Sequence, residues 1–248
     1  MRALALTLVL LTGTALAAPE TSKRPVIRAV PDTPKVTLDA PVELAAMAGQ
    51  MTSLRPSLRP RAVVQQAMAR RAERRKGQVC GDPDLQGDEI GFVPGAINGC
   101  GVAEAVRLRS VSGVTLSQAA VIDCPTAKAL KRWTEKGAKP ALRNVGGGLA
   151  TYRVAAHYAC RTRNNQRGAR ISEHGRGKAI DISGFVMRDG TTFTVLNDWN
   201  SRNGKALKSM HRAACGPFGT VLGPNSDRFH RDHFHFDTAK HRSGPYCR

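Results

Sequence analysis

The amino-acid sequence predicts an α+β domain in which a small antiparallel sheet is flanked by helices and stabilised by disulfides. Strand-like segments show apolar residues at a period of two. Helix-like segments fall between them without the regular strand–helix alternation that is typical of a parallel sheet. Six cysteines, all at or after residue 80 of the 248 residues, are enough for three disulfides. We expect this domain to occupy residues 79–248.

The first 78 residues have a different composition. Residues 1–18 combine a basic start, a short apolar run and a small-x-small end, which predicts a Sec-type signal peptide and a periplasmic or secreted protein. Residues 19–78 form a proline-rich basic linker that is too poor in apolar residues to build a core. Within it, residues 61–77 could form a basic helix ended by Gly77. That helix could contact an anionic surface, or it could be a solvated run of charge.

Five segments of the domain have patterns that indicate secondary structure. A proline at the first helical position predicts a helix from Pro125 to about Glu135, after a short strand over Val121–Cys124. We also predict a strand over Thr191–Leu196 and a short helix over Ala206–Ala214. Leu149–Cys160 alternates weakly and fits a strand or a helix. No later stretch of the chain is long and apolar enough to predict a transmembrane helix.

The cysteine pattern favours disulfides over a metal or redox motif. The number is even, no Cys-x-x-Cys pair occurs, and an exported chain meets an oxidising compartment. Six cysteines allow about 15 connectivities, and the sequence does not choose between them. As a working expectation the pairs are Cys80–Cys100, Cys124–Cys160 and Cys215–Cys247.

The charge of the chain points to an anionic partner. Its 38 Lys and Arg residues outnumber its 19 Asp and Glu residues, giving a formal net charge of +19. Aromatic residues make up only 5% of the chain, with no interleaving of basic and aromatic residues for base stacking. Together with export, this disfavours nucleic acid and favours an acidic cell-wall polymer or an anionic membrane face. Oligomeric state is not readable from the sequence.

Two segments carry residues that could bind a metal ion. In Ala179–Ser183 the alternation places Asp181 and Ser183 on one strand face, with the isoleucines in the core. In Asp232–Asp237 it places His233, His235 and Asp237 on one face, with two phenylalanines behind.

His174 could join these residues at the same ion. It precedes Asp181 by seven residues, and Gly175 and Gly177 would let the chain turn back toward that carboxylate. Two histidines and one carboxylate leave a coordination position open for water, which is the pattern of a catalytic zinc site. We therefore expect the small sheet to carry a metal site. His230 and Asp227 lie near enough in sequence to be outer partners of it, or unrelated to it.

These motifs resemble those of known zinc proteins. Ser172-x-His174-x-x-Gly177-x-Ala179-x-Asp181 followed by His233-x-His235 is similar to the fold shared by lysostaphin-type enzymes, D-alanyl-D-alanine carboxypeptidases and hedgehog domains. Ser172–Phe185, Tyr158-x-Cys160-Arg161 and the Cys247-Arg248 ending resemble more closely the bacterial extensin-like C-terminal domain family. This second resemblance covers about residues 80–248.

The resemblance implies a role for each matching residue. His174, Asp181 and His235 would bind Zn²⁺, and His233 would take a proton from the water that the zinc activates. Asp232 is a second candidate base, because the carboxypeptidases place a Glu at this position. Two further residues would contact the substrate: Ser172 would hold a substrate carboxylate, and Arg161 would polarise the scissile carbonyl.

These observations favour a zinc-dependent peptidoglycan peptidase that cuts stem-peptide ends or cross-links. Peptidoglycan is acidic, which suits the positive charge of the chain. The main alternative is a zinc-containing wall-binding protein without catalysis, since hedgehog domains hold the ion without an evident peptidase role. A third hypothesis is a cationic binder of nucleic acid or membranes with an incidental metal.

Overall fold

A computed structural model describes residues 59–248 of the chain, which form an α+β fold around a ten-stranded sheet. The predicted signal peptide and most of the predicted linker lie outside the described residues. The helices are α1 (Arg61–Lys76), α2 (Cys124–Trp133), α3 (Lys139–Leu142), α4 (Val195–Asp198) and α5 (Gly204–Ala214). The strands are β1 (Gln78–Val79), β2 (Asp82–Pro94), β3 (Gly101–Val111), β4 (Val114–Asp123), β5 (Leu149–Ala156), β6 (Ala179–Met187), β7 (Thr192–Thr194), β8 (Thr220–Leu222), β9 (Phe234–Asp237) and β10 (Tyr246–Cys247).

The sheet is mixed, so the prediction of a small antiparallel sheet is wrong in both size and direction. Its strand order is β1-β2-β3-β4-β5-β6-β9-β8-β10, with β7 paired to β6. Two pairs are parallel, β4 with β5 and β8 with β10, and the others are antiparallel. The helical segment between β4 and β5 explains the first parallel pair, because it carries the chain back to the end of the sheet where β4 began. The α+β class itself is confirmed.

Aromatic side chains dominate the core between the sheet and the helices. Trp133 of α2 lies with its ring centroid 4.9 Å from that of Phe236 and 5.4 Å from that of Tyr152, and all three side chains are fully buried. The indole nitrogen of Trp133 donates to the carbonyl of Met210 at 2.8 Å. Since Phe234 and Phe236 point into this core, the alternate residues of β9 face the other side of the sheet.

Three disulfides stabilise the fold, but only one of the expected pairs is correct. Cys215–Cys247 is confirmed, whereas the other two bonds join Cys80 to Cys124 and Cys100 to Cys160. The long β2–β3 hairpin explains the error. Its 13-residue first strand, at about 3.3 Å per residue, carries Cys100 far from Cys80. Helix α2 instead returns to the start of β2, where Lys131 binds Asp82 at 2.7 Å.

Other element bounds differ from the sequence expectations in instructive ways. The strand expected at Val121–Cys124 is only the end of β4, which begins at Val114, and Leu149–Cys160 begins as a strand. The strand expected at Thr191–Leu196 stops at Thr194, because the Thr194 side chain accepts a hydrogen bond from the Asn197 amide and begins α4. Helix α1 occupies the segment for which a basic helix is predicted, and none of its residues is buried. Within residues 59–248, no helix has the length and apolar content needed to cross a bilayer.

Candidate metal centre

Two adjacent strands bring Asp181 and His235 together. β6 and β9 are antiparallel, and Asp181 and His235 are paired directly across the two strands. Ile180 and Ile182 on β6 and the two phenylalanines of β9 anchor the opposite face in the core. The period-two pattern of each strand therefore fixes both functional side chains on the same side of the sheet.

A short turn before β6 brings His174 to the same place. Ser172 begins a 3-10 turn over Glu173–Arg176, with its Oγ accepting from the His174 amide at 3.4 Å. Gly177 ends the turn in the left-handed conformation, at φ 66°, and donates to the carbonyls of Glu173 and His174. A Cβ atom at position 177 would lie 2.6 Å from Val102, so only glycine fits here. This reversal directs the His174 side chain back toward Asp181.

The three side chains converge on one point. His174 Nε2 lies 3.1 Å from Asp181 Oδ2 and 3.2 Å from His235 Nδ1, and His235 Nδ1 lies 2.9 Å from Asp181 Oδ1. Tetrahedral ligands at about 2.05 Å from a zinc ion are separated by about 3.3 Å, so the donor atoms are close to the spacing that the ion requires. All three residues are buried, and within residues 59–248 no other group of His, Cys, Asp and Glu side chains offers such a cluster.

Hydrogen bonds determine which nitrogen of each imidazole faces this point. His174 Nδ1 donates to the carbonyl of His157 at 2.8 Å, which leaves Nε2 as the donor atom toward a metal. His235 Nε2 is 3.0 Å from Asp237 Oδ2, which leaves Nδ1 facing the other two side chains of the cluster. Ligand histidines in metal sites are commonly held by a carbonyl or carboxylate in this way. The arrangement is therefore geometrically compatible with a metal ion.

The side chains of the cluster change one another's pKa values. Burial by itself would raise the pKa of Asp181, but hydrogen bonds from His174 and His235 outweigh it and hold that pKa well below its ordinary value. Burial would lower the pKa of His235, but the carboxylates of Asp181 and Asp237 outweigh it and raise the pKa to about 9. Without a metal, a proton on His235 supplies the positive charge that the two buried carboxylates require.

His233 lies beside the three candidate ligands. Its Nε2 is 3.6 Å from Asp181 Oδ2, and its Nδ1 is 2.8 Å from Asp232 Oδ1. The Asp232 side chain is 64% exposed and contacts the far side of the His233 ring, so it holds that ring and does not face the cluster. A second histidine, His230, is held by Asp227 at 2.7 Å with its ring centroid 5.3 Å from that of His233.

The cluster forms the floor of an open cleft of about 690 Å³. Arg161, Arg163 and Ser172 line it on the side that follows β5, and His241 and Tyr246 line it on the side of β8 and β10. The Ser172 hydroxyl accepts one backbone hydrogen bond, from the His174 amide, and its O–H is still able to donate to a ligand. The cleft thus extends to both sides of the three candidate ligands.

Sequence reasoning identified most of these residues and missed some. His174, Asp181, His233 and His235 come together, Arg161 and Ser172 line the cleft, and Asp232 lies behind His233. Asp237 received no role, although its position two residues after His235 placed it on the same face. The walls of the cleft at Arg163, Thr220, His241 and Tyr246 could not be inferred, because they depend on how distant loops fold over the sheet.

Comparison with known proteins gives one informative result. No curated protein and no solved structure matches the chain. A family model described as the extensin-like protein C-terminus matches residues 92–248, which include every candidate residue of the cleft. This match spans more than half of the 248 residues. The chain therefore belongs to the extensin-like protein C-terminus family.

Proposed function

We propose that this protein is an exported zinc-dependent peptidoglycan peptidase that hydrolyses amide bonds of stem peptides or cross-links. The observation that carries the proposal is the convergence of three buried donor atoms, from His174, Asp181 and His235, at the floor of an open cleft. The resemblance of the motif to lysostaphin-type enzymes and D-alanyl-D-alanine carboxypeptidases belongs to the same proposal. The three disulfides fit a protein that works in an oxidising compartment.

Zinc is the ion that suits these donors best. Two imidazole nitrogens and one carboxylate oxygen match the ligands of catalytic zinc sites, whereas Mg²⁺ and Ca²⁺ prefer oxygen ligands. When bound, zinc supplies a Lewis acid that polarises a carbonyl group and makes water acidic near neutral pH. His157 and Asp237 keep the two imidazoles in the tautomers that this ion needs.

His233 is the proposed general base. Its Nε2 atom faces the cleft beside Asp181, while the Asp232 carboxylate accepts from Nδ1 and fixes the ring. Nε2 takes a proton from the attacking water and passes it to the leaving amine. Asp232 acts through His233 in this proposal, and its exposed carboxylate is too poorly placed to remove the proton itself. Arg161 polarises the scissile carbonyl from the wall of the cleft.

The size of the cleft and the net charge of the chain support a peptide-bearing acidic polymer as the substrate. A cleft of about 690 Å³ accommodates a short peptide. Because the cleft is open to the surface, this peptide can be part of a longer polymer. The formal net charge of +19 favours an acidic polymer outside the cell, and peptidoglycan carries both carboxylates and peptide cross-links.

A zinc assay followed by a digestion tests the proposal. We expect one zinc ion per chain in the purified protein, and new muropeptides after incubation with purified peptidoglycan sacculi. A chelator should abolish the products and added zinc should restore them. The variant His233→Ala is the matched control, because it should keep the ion and release no products. Bound zinc without any product would favour a wall-binding protein, and no zinc after reconstitution would overturn the metal assignment.

A further inference from the structure

A basic groove adjoins the candidate metal cleft on the side of the C-terminal strands. The groove has a volume of about 580 Å³ and is lined by Arg132, Lys178 and Lys240 among other residues. His241 lines both the groove and the cleft, so the two depressions adjoin at this residue. A ligand long enough to pass His241 can therefore contact both.

The cations of the groove have no acidic partners. Arg132, Lys178 and Lys240 are exposed, and among residues 59–248 none of them takes part in a salt bridge. Within residues 59–248 the groove contains one carboxylate, that of Asp123, whose Oδ1 accepts from the Thr126 amide at 2.8 Å to cap α2. Three positive charges and one negative charge therefore line this concave surface, which keeps a net positive charge. Such a surface attracts anionic ligands.

The walls of the groove are held in place by the backbone. Arg132 Nη2 donates to the carbonyl of Pro217 at 3.3 Å, and the Thr238 amide donates to the carbonyl of Lys178 at 3.1 Å. Gly219 passes so close to the Ala239 carbonyl that a Cβ at position 219 would lie 1.7 Å from its oxygen. The groove therefore exists before a ligand arrives, which reduces the ordering cost of binding.

We propose that this groove binds an extended carboxylate-bearing glycopeptide chain and guides it into the adjoining cleft. The inference rests on the proposed function for the identity of the polymer, which is peptidoglycan. Arg132, Lys178 and Lys240 contact carboxylates that lie outside the segment being cut. The groove thus supplies affinity for the polymer, and the cleft supplies the chemistry.

The chemistry of the groove favours this ligand over other anions. Among residues 59–248, Phe218 is the only Phe, Tyr or Trp that lines the groove, and it is buried, so none of these rings is available to stack on a nucleic-acid base. Nor does the described part of the lining expose a large apolar side chain for insertion into a lipid layer. Three cations along a groove that exposes no large apolar side chain suit a chain whose charges are carboxylates on a hydrophilic backbone.

Binding to sacculi tests the proposal independently of cleavage. The groove variant is Arg132→Gln, Lys178→Gln, Lys240→Gln in the full chain. The control variant is Arg188→Gln, Arg202→Gln, Lys205→Gln, which removes the same charge from exposed positions outside the groove. Co-sedimentation is measured at low salt with purified sacculi, and again with sacculi whose carboxylates have been amidated. We expect the groove variant to bind intact sacculi about tenfold more weakly, since exposed ion pairs contribute modestly but add together.

Each outcome separates this proposal from the proposed function. Support requires that the control variant binds as the unmodified protein does, and that amidation weakens the unmodified protein but not the groove variant. Equal binding by groove and control variants would overturn the groove assignment even if the protein cleaves peptidoglycan. A selective loss of binding to duplex DNA or to anionic phospholipid vesicles, with sacculus binding unchanged, would also overturn it. If sacculus binding depends on the groove but no variant releases muropeptides, the groove stands and the peptidase does not.

Discussion

Asp237 fixes the orientation of His235 although it does not reach the point where the donor atoms converge. Its carboxylate holds His235 Nε2 at 3.0 Å and accepts from the Ala239 amide at 2.9 Å. Replacing it by asparagine removes the negative charge that makes the imidazole a better donor. We expect Asp237→Asn to lower zinc affinity by about 10-fold to 100-fold, measured by competition with a chromophoric chelator. Asp227→Asn should leave the affinity unchanged, because that carboxylate contacts His230 and the Phe229 amide and none of the three candidate ligands.

Under the proposed function, His233 and His235 allow metal binding and catalysis to be tested separately. His235 lies within 3.2 Å of both other candidate ligands, so His235→Ala should abolish stoichiometric zinc binding. The His233→Ala variant should retain the ion and lose about 10²-fold to 10⁴-fold in the rate of muropeptide release, which is the usual contribution of a general base. Zinc content by atomic absorption and muropeptide chromatography measure the two effects. Full zinc occupancy in His235→Ala would show that the ligand assignment is wrong.

The protonation of His235 predicts a pH dependence for metal uptake. In the metal-free protein its pKa is raised to about 9, so its charge stabilises the fold fully below the ordinary value of about 6.5 and that contribution is lost as the pH rises through 9. A metal requires the neutral imidazole, so near pH 7 uptake should release about one proton per ion. Calorimetry in two buffers with different ionisation enthalpies measures this. Identical heats in both buffers would contradict it.

At the scale of the element, the turn from His174 to Gly177 places a strict steric requirement on the sequence. Gly177 has a positive φ of 66° and Val102 lies against the space where a Cβ would be. We expect Gly177→Ala to lower the free energy of unfolding by about 2–4 kcal/mol, from left-handed strain together with the contact to Val102. It should also weaken zinc binding, because the displaced turn carries His174.

Gly190 provides the matched control for this turn. It also has a positive φ, of 88°, but a Cβ there would meet no atom within 4 Å. Gly190→Ala should therefore lower the free energy of unfolding by only about 1–2 kcal/mol, from left-handed backbone strain, and leave zinc affinity unchanged. Chemical denaturation of both variants measures the difference. Equal losses of stability would mean that the contact with Val102 contributes nothing.

The sequence predicted the strands of the site better than the strands of the scaffold. Alternation over Ala179–Ser183 and Asp232–Asp237 correctly placed Asp181 and His235 on polar faces, because the isoleucines and phenylalanines between them must be buried. The strand at Val114–Asp123 was largely missed, although the turn residue Gly113 directly precedes it. The parallel pairing of β4 with β5 depends on how α2 packs, which local patterns do not record.

At the scale of the whole molecule, the disulfides differ in whether they support the candidate site as well as the stability of the fold. Cys80–Cys124 and Cys100–Cys160 close loops of 44 and 60 residues. Each bond therefore removes a similar amount of conformational entropy from the unfolded chain. Replacing either pair by serines should cost about 2–4 kcal/mol of stability. Only the second pair touches the site, because a Cβ on Gly175, next to His174, would lie 3.0 Å from Cys100 Sγ. We therefore expect loss of Cys100–Cys160, but not of Cys80–Cys124, to lower zinc affinity as well; calorimetric titration would measure it.

Cysteine pairing shows where sequence reasoning ends. The number of cysteines and the predicted signal peptide were enough to predict three disulfides, and the expected pair Cys215–Cys247 is correct. The expected pairs are wrong for the other four cysteines because the β2–β3 hairpin carries Cys100 away from Cys80 and toward Cys160. Contacts between residues far apart in sequence are set by the packed fold, and local composition contains little information about them.

The contact between Gly175 and Cys100 also implies an order of maturation. In a reducing cytoplasm Cys100 and Cys160 would remain thiols, and the turn that presents His174 would lack the bond that braces it. If the chain is exported as we propose, oxidation would therefore precede loading with metal. The protein would cross the membrane empty and take its ion from the compartment in which it works. The metals available outside the cytoplasm, and not those inside it, would then decide which ion the mature protein carries.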